Sequence, residues 1–273
     1  MTTPTPLVAL TIAGSDSAAG AGAQADLKAF SALGVFGTTA ITAVTAQDTL
    51  GVRAVHVVPT PMVEAQVDAV LDDLAVRSVK TGMLATVETV AAVGRMAEGG
   101  RLANLVVDPV MVASSGDRLL DMGAEAAYRE LLLPFAYVVT PNVAEAALLV
   151  GAQLRNLDDL KGAARELHRT GARWVVVKGG HLAGDEAADV VYDGVSMTVL
   201  SAPRVATTNV HGTGCTLSAA IAAHLARGLP PLAAIRAAKD YVTTALSGAA
   251  AWRLGRGHGP LDHMGWADRG QAD

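Results

Sequence analysis

The sequence predicts an α/β fold whose central, mostly parallel sheet is covered on both faces by helices. Segments 7–13, 105–107 and 173–177 are short, continuous apolar runs, which is typical of strands buried on both faces. Between such runs lie segments such as 62–74, in which apolar residues recur at helical spacing. This alternation of strands and helices is characteristic of parallel sheets.

Composition limits the kind of protein. Of the 273 residues, 51% are hydrophobic and 17% are charged, so we expect a large core and no extensive disorder. The net charge of −5, without any lysine and arginine cluster, argues against a nucleic-acid partner. No segment approaches the ~20 apolar residues of a membrane span, and no signal peptide begins the chain. A single cysteine excludes an intramolecular disulfide and favours the reducing cytoplasm.

The first half of the chain contains three predicted strand-and-helix units before a fourth strand. The strands are 7–13, 36–46, 76–81 and 105–107, and the helices are 24–33, 62–74 and about 87–96. The second strand places Gln47 and Asp48 at its end. Gly20 and Gly22 lie too far past the first strand for a dinucleotide-binding fingerprint.

The second half continues the pattern. We predict a loop at 113–117, a helix near 123–133, strands at 136–139 and 173–177, a hairpin of 190–192 with 197–200, and helices from 213 and from 231 to 252. Because no linker or repeat interrupts the chain, we expect one domain over 1–273, with a core from about 7 to 263 and a flexible tail at 264–273.

Residues 208–216 (TNVHGTGCT) are the strongest local signal. Gly212 and Gly214 allow a sharp turn that points consecutive N–H groups at one spot, and the apolar run that follows predicts a helix beginning there. Such a turn is an anion site, and a helix N-terminus favours the thiolate of Cys215. Alternatively, the glycines form an ordinary loop and Cys215 is a small buried residue.

Other candidate site residues converge on the same edge of the sheet. Asp26 lies on the first helix, and the remaining candidates follow successive strands: Gln47, Met83, Asp108, Asn142 and Lys178. The carboxyl ends of parallel strands form one crevice, so we expect these residues to meet there. Asn142 and Glu145 are able to hold a hydrated cation or to cap a helix, and Lys178 is able to bind phosphate or to be a solvated surface residue.

With these residues in place, the chain resembles the hydroxymethylpyrimidine/phosphomethylpyrimidine kinases of thiamine biosynthesis, in the ribokinase-like superfamily. The matching segments are 13–17 with 20–22, 24–28, 42–47, 80–84, 108–112, 140–142 with 145–146, 177–181, 211–219 and 257–260. They run in order through nearly the whole chain.

The resemblance implies a ribokinase-like three-layer α/β/α fold, Mg²⁺, a homodimer, and ATP-dependent phosphorylation of 4-amino-5-hydroxymethyl-2-methylpyrimidine and then of its monophosphate. The residues that it implies for the pyrimidine pocket are Gly14, Asp26, Gln47, Met83 and Val110. Those implied for ATP or its phosphates are Lys178, His211 and Lys239, and those for the cation, through water, are Asp108, Asn142 and Glu145. The resemblance also implies that N–H groups stabilise the charge that develops during phosphoryl transfer, and that these come from Gly212, Thr213, Gly214 and Cys215.

The chain departs from the family at three places, one of which is the absence of a proline often found between Asn142 and Glu145, a change that leaves both polar roles intact. It has Ala18-Ala19-Gly20 where relatives often have Ser-Gly-Gly, a change that a loop should tolerate, and Ser114 where they often have lysine. Two other functions remain open: a pyridoxal or pyridoxine kinase, and a non-catalytic pyrimidine-binding protein. The phosphate-binding residues argue against the second, because a pure binder has no need of them.

Overall fold

A large mixed sheet forms the centre of the computed structural model, which describes residues 5–111, 124–180, 182 and 184–267. The strands are β1 (Leu7–Ala13), β2 (Val35–Ile41), β3 (Ala43–Asp48), β4 (Gly51–Val57), β5 (Val76–Thr81), β6 (Val106–Val107), β7 (Val138–Val139), β8 (Trp174–Val177), β9 (Glu186–Tyr192) and β10 (Met197–Pro203). The order across the main sheet is β10-β9-β8-β7-β6-β5-β1-β2. Neighbours from β8 to β2 are parallel, and β9 and β10 run antiparallel at one edge.

Helices cover both faces of this sheet. They are α1 (Gly22–Ala32), α2 (Thr60–Asp73), α3 (Val87–Glu98), α4 (Ala124–Ala127), α5 (Val143–Val150), α6 (Leu157–His168), α7 (Thr213–Ala226) and α8 (Pro231–Ala249). The chain after α4 continues as a π turn, Tyr128–Leu132, and a 3₁₀ turn, Leu133–Phe135.

Two apolar clusters hold the layers together. Successive residues of a strand point to opposite faces, so Val107 packs with α2, α3, α5 and α6 while its neighbour Val106 packs with α1, α7 and α8. The same division separates Val138 from Val139. The predicted three-layer α/β/α architecture is therefore confirmed. None of the described helices is long and apolar enough to cross a membrane.

The prediction of one strand over 36–46 is wrong. β2 ends at Ile41, and β3 leaves the main sheet to pair antiparallel with β4, which the sequence analysis did not assign. The chain turns at the buried Thr42, whose N–H donates to the Ala13 carbonyl at 3.1 Å and whose hydroxyl donates to the Met83 carbonyl at 2.6 Å. Gln47 consequently lies within β3 rather than after a strand of the main sheet.

Most other predicted elements are confirmed within a few residues, including the β9 and β10 hairpin. The helix α6 was not predicted, although Asn156 and Asp159 form a capping box at its start. The predicted loop at 113–117 lies outside the described residues, as do Ser114 and Gly123. At the other end, Trp266 stacks on Trp252 with ring centroids 6.0 Å apart.

Candidate active site

A cavity of about 1060 Å³ lies along the carboxyl ends of the parallel strands. The sequence-predicted residues on its wall are Gly14, Gln47, Met83, Asp108, Val110, Asn142, Glu145, Lys178, His211, Gly212, Thr213, Gly214, Cys215 and Lys239. Asp26 is the one predicted site residue that is not on this wall. The convergence expected from the strand order is therefore present.

The turn before α7 has the backbone that an anion site needs. Gly212 adopts φ 85°, and a Cβ there would lie 1.8 Å from the Gly20 carbonyl oxygen, so only glycine fits. The next residues, Thr213, Gly214 and Cys215, form the first turn of the helix, whose N–H groups have no partner within the helix itself. The Thr213 N–H donates to the Val210 carbonyl at 3.2 Å. The N–H groups of Gly214 and Cys215 remain for an anion, and both residues line the cavity, where the helix dipole also favours negative charge.

Lys178 brings a cation to the same place. Its Nζ lies 2.9 Å from Asp108 Oδ1 and 3.9 Å from Glu145 Oε2. A Cβ on Gly214 would lie 3.0 Å from that Nζ, so the bare glycine leaves room for the ammonium group beside the start of α7. Burial lowers the pKa of Lys178, but Asp108 and Glu145 outweigh it and the net shift is upward. The lysine therefore stays charged.

Asn142 and Glu145 form a capping box at the start of α5. Asn142 Oδ1 accepts from the Glu145 N–H at 2.9 Å, and Glu145 Oε2 accepts from the Asn142 N–H at 2.7 Å. Burial raises the pKa of Glu145 to about 7, against the influence of Lys178. The helix-capping interpretation is thus confirmed. The Glu145 carboxyl group caps the helix and also lines the cavity.

The donor set at this point fits a hydrated cation. Asp108 and Glu145 are buried acidic residues on either side of a single ammonium group, so oxygen ligands outnumber the protein's own cations here. Oxygen ligands of this kind suit Mg²⁺, which retains several of its waters. Within the described residues, no group of three or more histidine, cysteine or acidic side chains is arranged to hold a metal ion directly.

Cys215 differs from its expectation. Burial raises the pKa of the thiol to about 11, an effect that Lys80 opposes and that Asp26 and Asp108 reinforce. The expectation of a thiolate is therefore wrong: the helix N-terminus is outweighed by the loss of solvent and by nearby carboxylates. At neutral pH the cavity presents a neutral thiol.

Asp26 lies beneath the cavity instead of on its wall. The side chain is fully buried, where it accepts from Lys80 Nζ at 2.8 Å and from Thr11 Oγ1 at 2.6 Å. Its carboxylate thus joins α1 to β1 and β5. Lys80 lies in the matching segment 80–84, but the sequence analysis assigned it no role, because nothing in the local sequence names Asp26 as its partner.

An apolar wall forms one part of the cavity lining. Met83 and Val110 pack with Ala43 and Ala85. Gly14 donates its N–H to the Met83 carbonyl at 3.1 Å, and a Cβ on Gly14 would lie 2.4 Å from Met83 Cε. Gly14 therefore allows the methionine to approach, and together they form a flat surface suited to a planar ring.

His211 lies near this apolar wall, next to a residue that the sequence analysis missed. Its Nε2 is 2.8 Å from Asp16 Oδ2 and 3.3 Å from the terminal amide of Gln47. Asp16 also accepts from the N–H groups of Ala18, Gly20 and Ala21. Burial raises the pKa of Asp16, but these partners lower it further, so the net shift is downward. No local motif pairs two residues that are 195 positions apart.

The departure at Ala18-Ala19-Gly20 lies within this loop. Ala19 adopts φ 57°, a left-handed conformation that costs alanine about 1 kcal/mol relative to glycine. The loop accommodates the substitution while Asp16 holds the three N–H groups around it.

Lys239 is occupied by the protein itself. Its Nζ donates to Asp189 Oδ2 at 2.7 Å and to the Ala187 carbonyl at 2.8 Å. Asp189 in turn accepts from the Gly179 N–H at 2.9 Å. Lys239 thus fixes β9 and the segment that follows Lys178, and it reaches the cavity wall without a free ammonium group.

Comparison with known proteins agrees with this geometry. A family model described as phosphomethylpyrimidine kinase matches residues 16–262. A hydroxymethylpyrimidine/phosphomethylpyrimidine kinase of Rhizobium meliloti (strain 1021) is 54% identical over 94% of this chain and 97% of its own length. Among solved structures, an ADP complex of Bacillus subtilis pyridoxal kinase is 40% identical with a TM-score of 0.88, covering 95% of this chain and 98% of that chain.

A second solved structure carries the family's own description. The phosphomethylpyrimidine kinase of Clostridium difficile 630 is 40% identical with a TM-score of 0.78, covering 88% of this chain and 99% of that chain. These neighbours confirm the ribokinase-like fold. With a family model that spans most of the chain and a relative that is more than half identical over its full length, the chain belongs to the phosphomethylpyrimidine kinase family.

Proposed function

We propose that this protein uses ATP to phosphorylate 4-amino-5-hydroxymethyl-2-methylpyrimidine and then its monophosphate, giving the diphosphate used in thiamine biosynthesis. The observation that carries the proposal is one continuous cavity whose lining combines an apolar wall and the Gln47 amide with Lys178 beside a helix N-terminus. The names of relatives such as the Rhizobium kinase support it.

Different cavity residues contact the acceptor ring and the phosphates. Met83 and Val110 offer apolar contact to the ring, and the amide of Gln47 is able both to donate to a ring nitrogen and to accept from the exocyclic amine. Lys178 neutralises phosphate charge, and the N–H groups of Gly214 and Cys215 stabilise the charge that develops on the transferred phosphoryl group. Asp108, Asn142 and Glu145 would hold Mg²⁺ through water, and the bound ion would neutralise further phosphate charge.

Both acceptors fit because the thiol of Cys215 is neutral. An alcohol benefits from a nearby base, whereas a phosphate monoester is already an anion and needs none. A carboxylate at this position would repel the monophosphate, while a thiol tolerates it.

A vitamin B6 kinase is the second candidate function. The solved pyridoxal kinase of Bacillus subtilis has the same fold over nearly the whole of both chains. The apolar wall of Met83 and Val110 would accept a pyridine ring as readily as a pyrimidine, so the ring-edge contacts of Gln47 decide between them.

The protein is further proposed to act as a homodimer in the cytoplasm. Phe36 and Met62 are more than half exposed, as is Val44 on the outlying β3 strand. Apolar side chains of this size on one region of the surface are typical of subunit contacts. Sedimentation of the purified protein tests the dimer.

A coupled ADP-release assay tests the activity. Purified protein with ATP and Mg²⁺ is offered the pyrimidine alcohol, its monophosphate and pyridoxal in parallel. We expect turnover of both pyrimidines, including the second step despite Ser114. Turnover of pyridoxal alone would assign the protein to vitamin B6 salvage, and no turnover of any acceptor would favour a non-catalytic binding protein.

A further inference from the structure

The position of one hydrogen atom follows from the partners of Asp16. Its Oδ1 accepts from the Ala18 N–H at 2.9 Å, and its Oδ2 accepts from the N–H groups of Gly20 at 3.0 Å and Ala21 at 2.8 Å. Both oxygens therefore act as acceptors and neither has a hydrogen to offer. The 2.8 Å contact between Oδ2 and His211 Nε2 then requires the hydrogen to be on Nε2, whether the ring is neutral or cationic.

The ring of His211 has little freedom to adopt another arrangement. A Cβ on Gly20 would lie 2.4 Å from His211 Cδ2, so the loop packs directly against the ring. The His211 N–H also donates to the Gly259 carbonyl at 3.0 Å. The ring is thus held between two loops and delivers its Nε2 hydrogen to a fixed place.

This hydrogen fixes the orientation of the Gln47 amide. Nε2 carries a single hydrogen, which it donates to Asp16 Oδ2 at 2.8 Å, and in that state it has no lone pair with which to accept from the amide. The amide atom that faces Nε2 at 3.3 Å therefore has to be the oxygen, which shares that hydrogen, because an NH₂ group there would place hydrogen against hydrogen. The other end of the amide faces Thr45 Oγ1 at 3.5 Å, and that hydroxyl donates its only hydrogen to the Ser15 carbonyl at 2.9 Å. Thr45 can therefore only accept. Both neighbours require the Gln47 carbonyl oxygen to face His211 and its NH₂ group to face Thr45. A half-turn of the amide exchanges its oxygen and nitrogen and gives this orientation without moving other atoms.

We propose that Asp16 and His211 are a positioning pair that sets the polarity of the Gln47 amide, and through it the one orientation in which the acceptor ring binds. The inference rests on the proposed function for the identity of the acceptor. Gln47 and His211 both line the cavity beside the apolar wall, and Asp16 lines it behind them. His211 acts on the acceptor through Gln47 instead of binding ATP phosphates.

The polarity selects a class of ring. The amide offers a hydrogen on its Thr45 side and a lone pair on its His211 side, so its complement is a ring nitrogen next to a carbon that bears an amino group. An aminopyrimidine has this edge, with a nitrogen acceptor beside an amine donor. A ring without the amine gains only half of the contact, and an amide free to turn would accept either orientation of the ring.

The kinetic test compares two acceptors in three proteins. The acceptors are the 4-aminopyrimidine alcohol and its 4-oxo analogue, whose edge has the reverse polarity, a ring N–H donor beside a carbonyl acceptor, and the proteins are wild type, His211→Leu and His211→Gln. A glutamine amide reaches the place of the imidazole Nε2 and can donate to both Asp16 and Gln47, so it is the conservative variant. His168→Leu, a histidine that contacts Tyr192 away from the cavity, is the matched control.

We expect the amino acceptor to exceed the oxo analogue in kcat/KM about tenfold in wild type, because the fixed amide opposes the reversed edge by the equivalent of one hydrogen bond. In His211→Leu this advantage should fall to within about twofold, through the acceptor KM, while the KM for ATP stays within about twofold of wild type. His211→Gln should restore most of the advantage. An undiminished advantage in His211→Leu, or an effect on the KM for ATP instead of the acceptor, would overturn the proposal.

A second measurement does not depend on turnover. Long-range ¹H–¹⁵N spectra of the labelled protein, assigned by the signals lost in His211→Gln, show which imidazole nitrogen of His211 carries hydrogen. We expect hydrogen on Nε2, and a bare Nε2 would overturn the proposal. If wild type phosphorylates neither pyrimidine, the proposed function fails, while the spectra still decide the position of the hydrogen.

Discussion

At the scale of single residues, Cys215 is the side chain that best explains how one cavity could serve two acceptors. Burial raises the pKa of the thiol to about 11, so this position adds no negative charge at neutral pH. The neighbourhood already contains Asp108 and the buried Asp26, so further negative charge would be unfavourable.

We predict that Cys215→Asp loses the second phosphorylation more severely than the first. A carboxylate repels the anionic monophosphate, whereas it can serve as a base for the alcohol. The expected difference in kcat/KM is at least about tenfold, the effect of one like charge worth roughly 1.4 kcal/mol. Separate steady-state assays with each acceptor measure it, with Cys215→Ser as the neutral control. Equal losses on both acceptors would refute the explanation.

His263 links stability to pH. The ring is buried, with Nε2 2.8 Å from Thr216 Oγ1 in the first turns of α7. Burial lowers the pKa of His263 to about 4. Since the unfolded chain binds a proton near pH 6.5 and the folded protein does not until about pH 4, stability falls as the pH drops through this window.

We predict that wild type loses about 2 kcal/mol more of unfolding free energy between pH 7.5 and pH 5 than His263→Gln does, from linkage between these two pKa values. Urea unfolding at the two pH values measures the difference. His56→Gln, at an exposed position on β4, should behave like wild type. The assignment fails if His263→Gln shows the same pH dependence as wild type.

A site residue could be predicted where neighbouring residues in the sequence mark its position. Lys178, Asp108 and the turn at Gly212 follow directly from strand ends and glycine spacing, and all lie on the cavity wall. The contact between Asp16 and His211 joins distant parts of the chain, and neither residue has a pattern that names its partner.

At the scale of elements, the pair of Asp26 and Lys80 ties three of them together. Both side chains are fully inaccessible to solvent, and the carboxylate on α1 bonds to Lys80 on β5 and to Thr11 on β1. Because α1 begins beside Gly14 and the start of α7, this bond fixes the floor of the cavity.

Removing one charge of this pair should cost more than removing both. We predict that Lys80→Met destabilises the protein by about 3–5 kcal/mol, because it leaves a buried carboxylate without its cation. The double variant Asp26→Leu with Lys80→Met should recover most of that loss. Denaturant unfolding of the single and double variants measures both effects.

The same double variant tests the resemblance-based role of Asp26. A double variant that is no more stable than Lys80→Met would contradict the ion-pair explanation. A stable double variant whose acceptor KM has risen more than about tenfold would instead support direct contact of Asp26 with the substrate, which the cavity wall does not show.

The turn at Thr42 and the β4 strand were missed because neither has a local sequence signal. Residues 36–46 look like a single strand because Thr42 changes the direction of the chain through buried hydrogen bonds, without a glycine or proline to mark the turn. The β4 strand is exposed along most of its length, so it lacks the apolar alternation that a core imposes.

At the scale of the whole molecule, the order of the strands is what creates the site. Gly14, Met83, Asp108, Asn142 and Lys178 follow β1, β5, β6, β7 and β8, and the parallel sheet brings these strand ends to one edge. This arrangement was predictable because buried parallel strands have strong patterns. What was not predictable is the state of the groups once they are buried, such as the neutral thiol of Cys215.

The most direct test of two successive phosphorylations in one cavity is to follow a single reaction by ³¹P NMR. The protein is given the pyrimidine alcohol, Mg²⁺ and more than two equivalents of ATP. The account predicts that the monophosphate rises and then falls as the diphosphate accumulates. Monophosphate that accumulates without conversion, or a reaction that leaves the pyrimidine unphosphorylated, would contradict it.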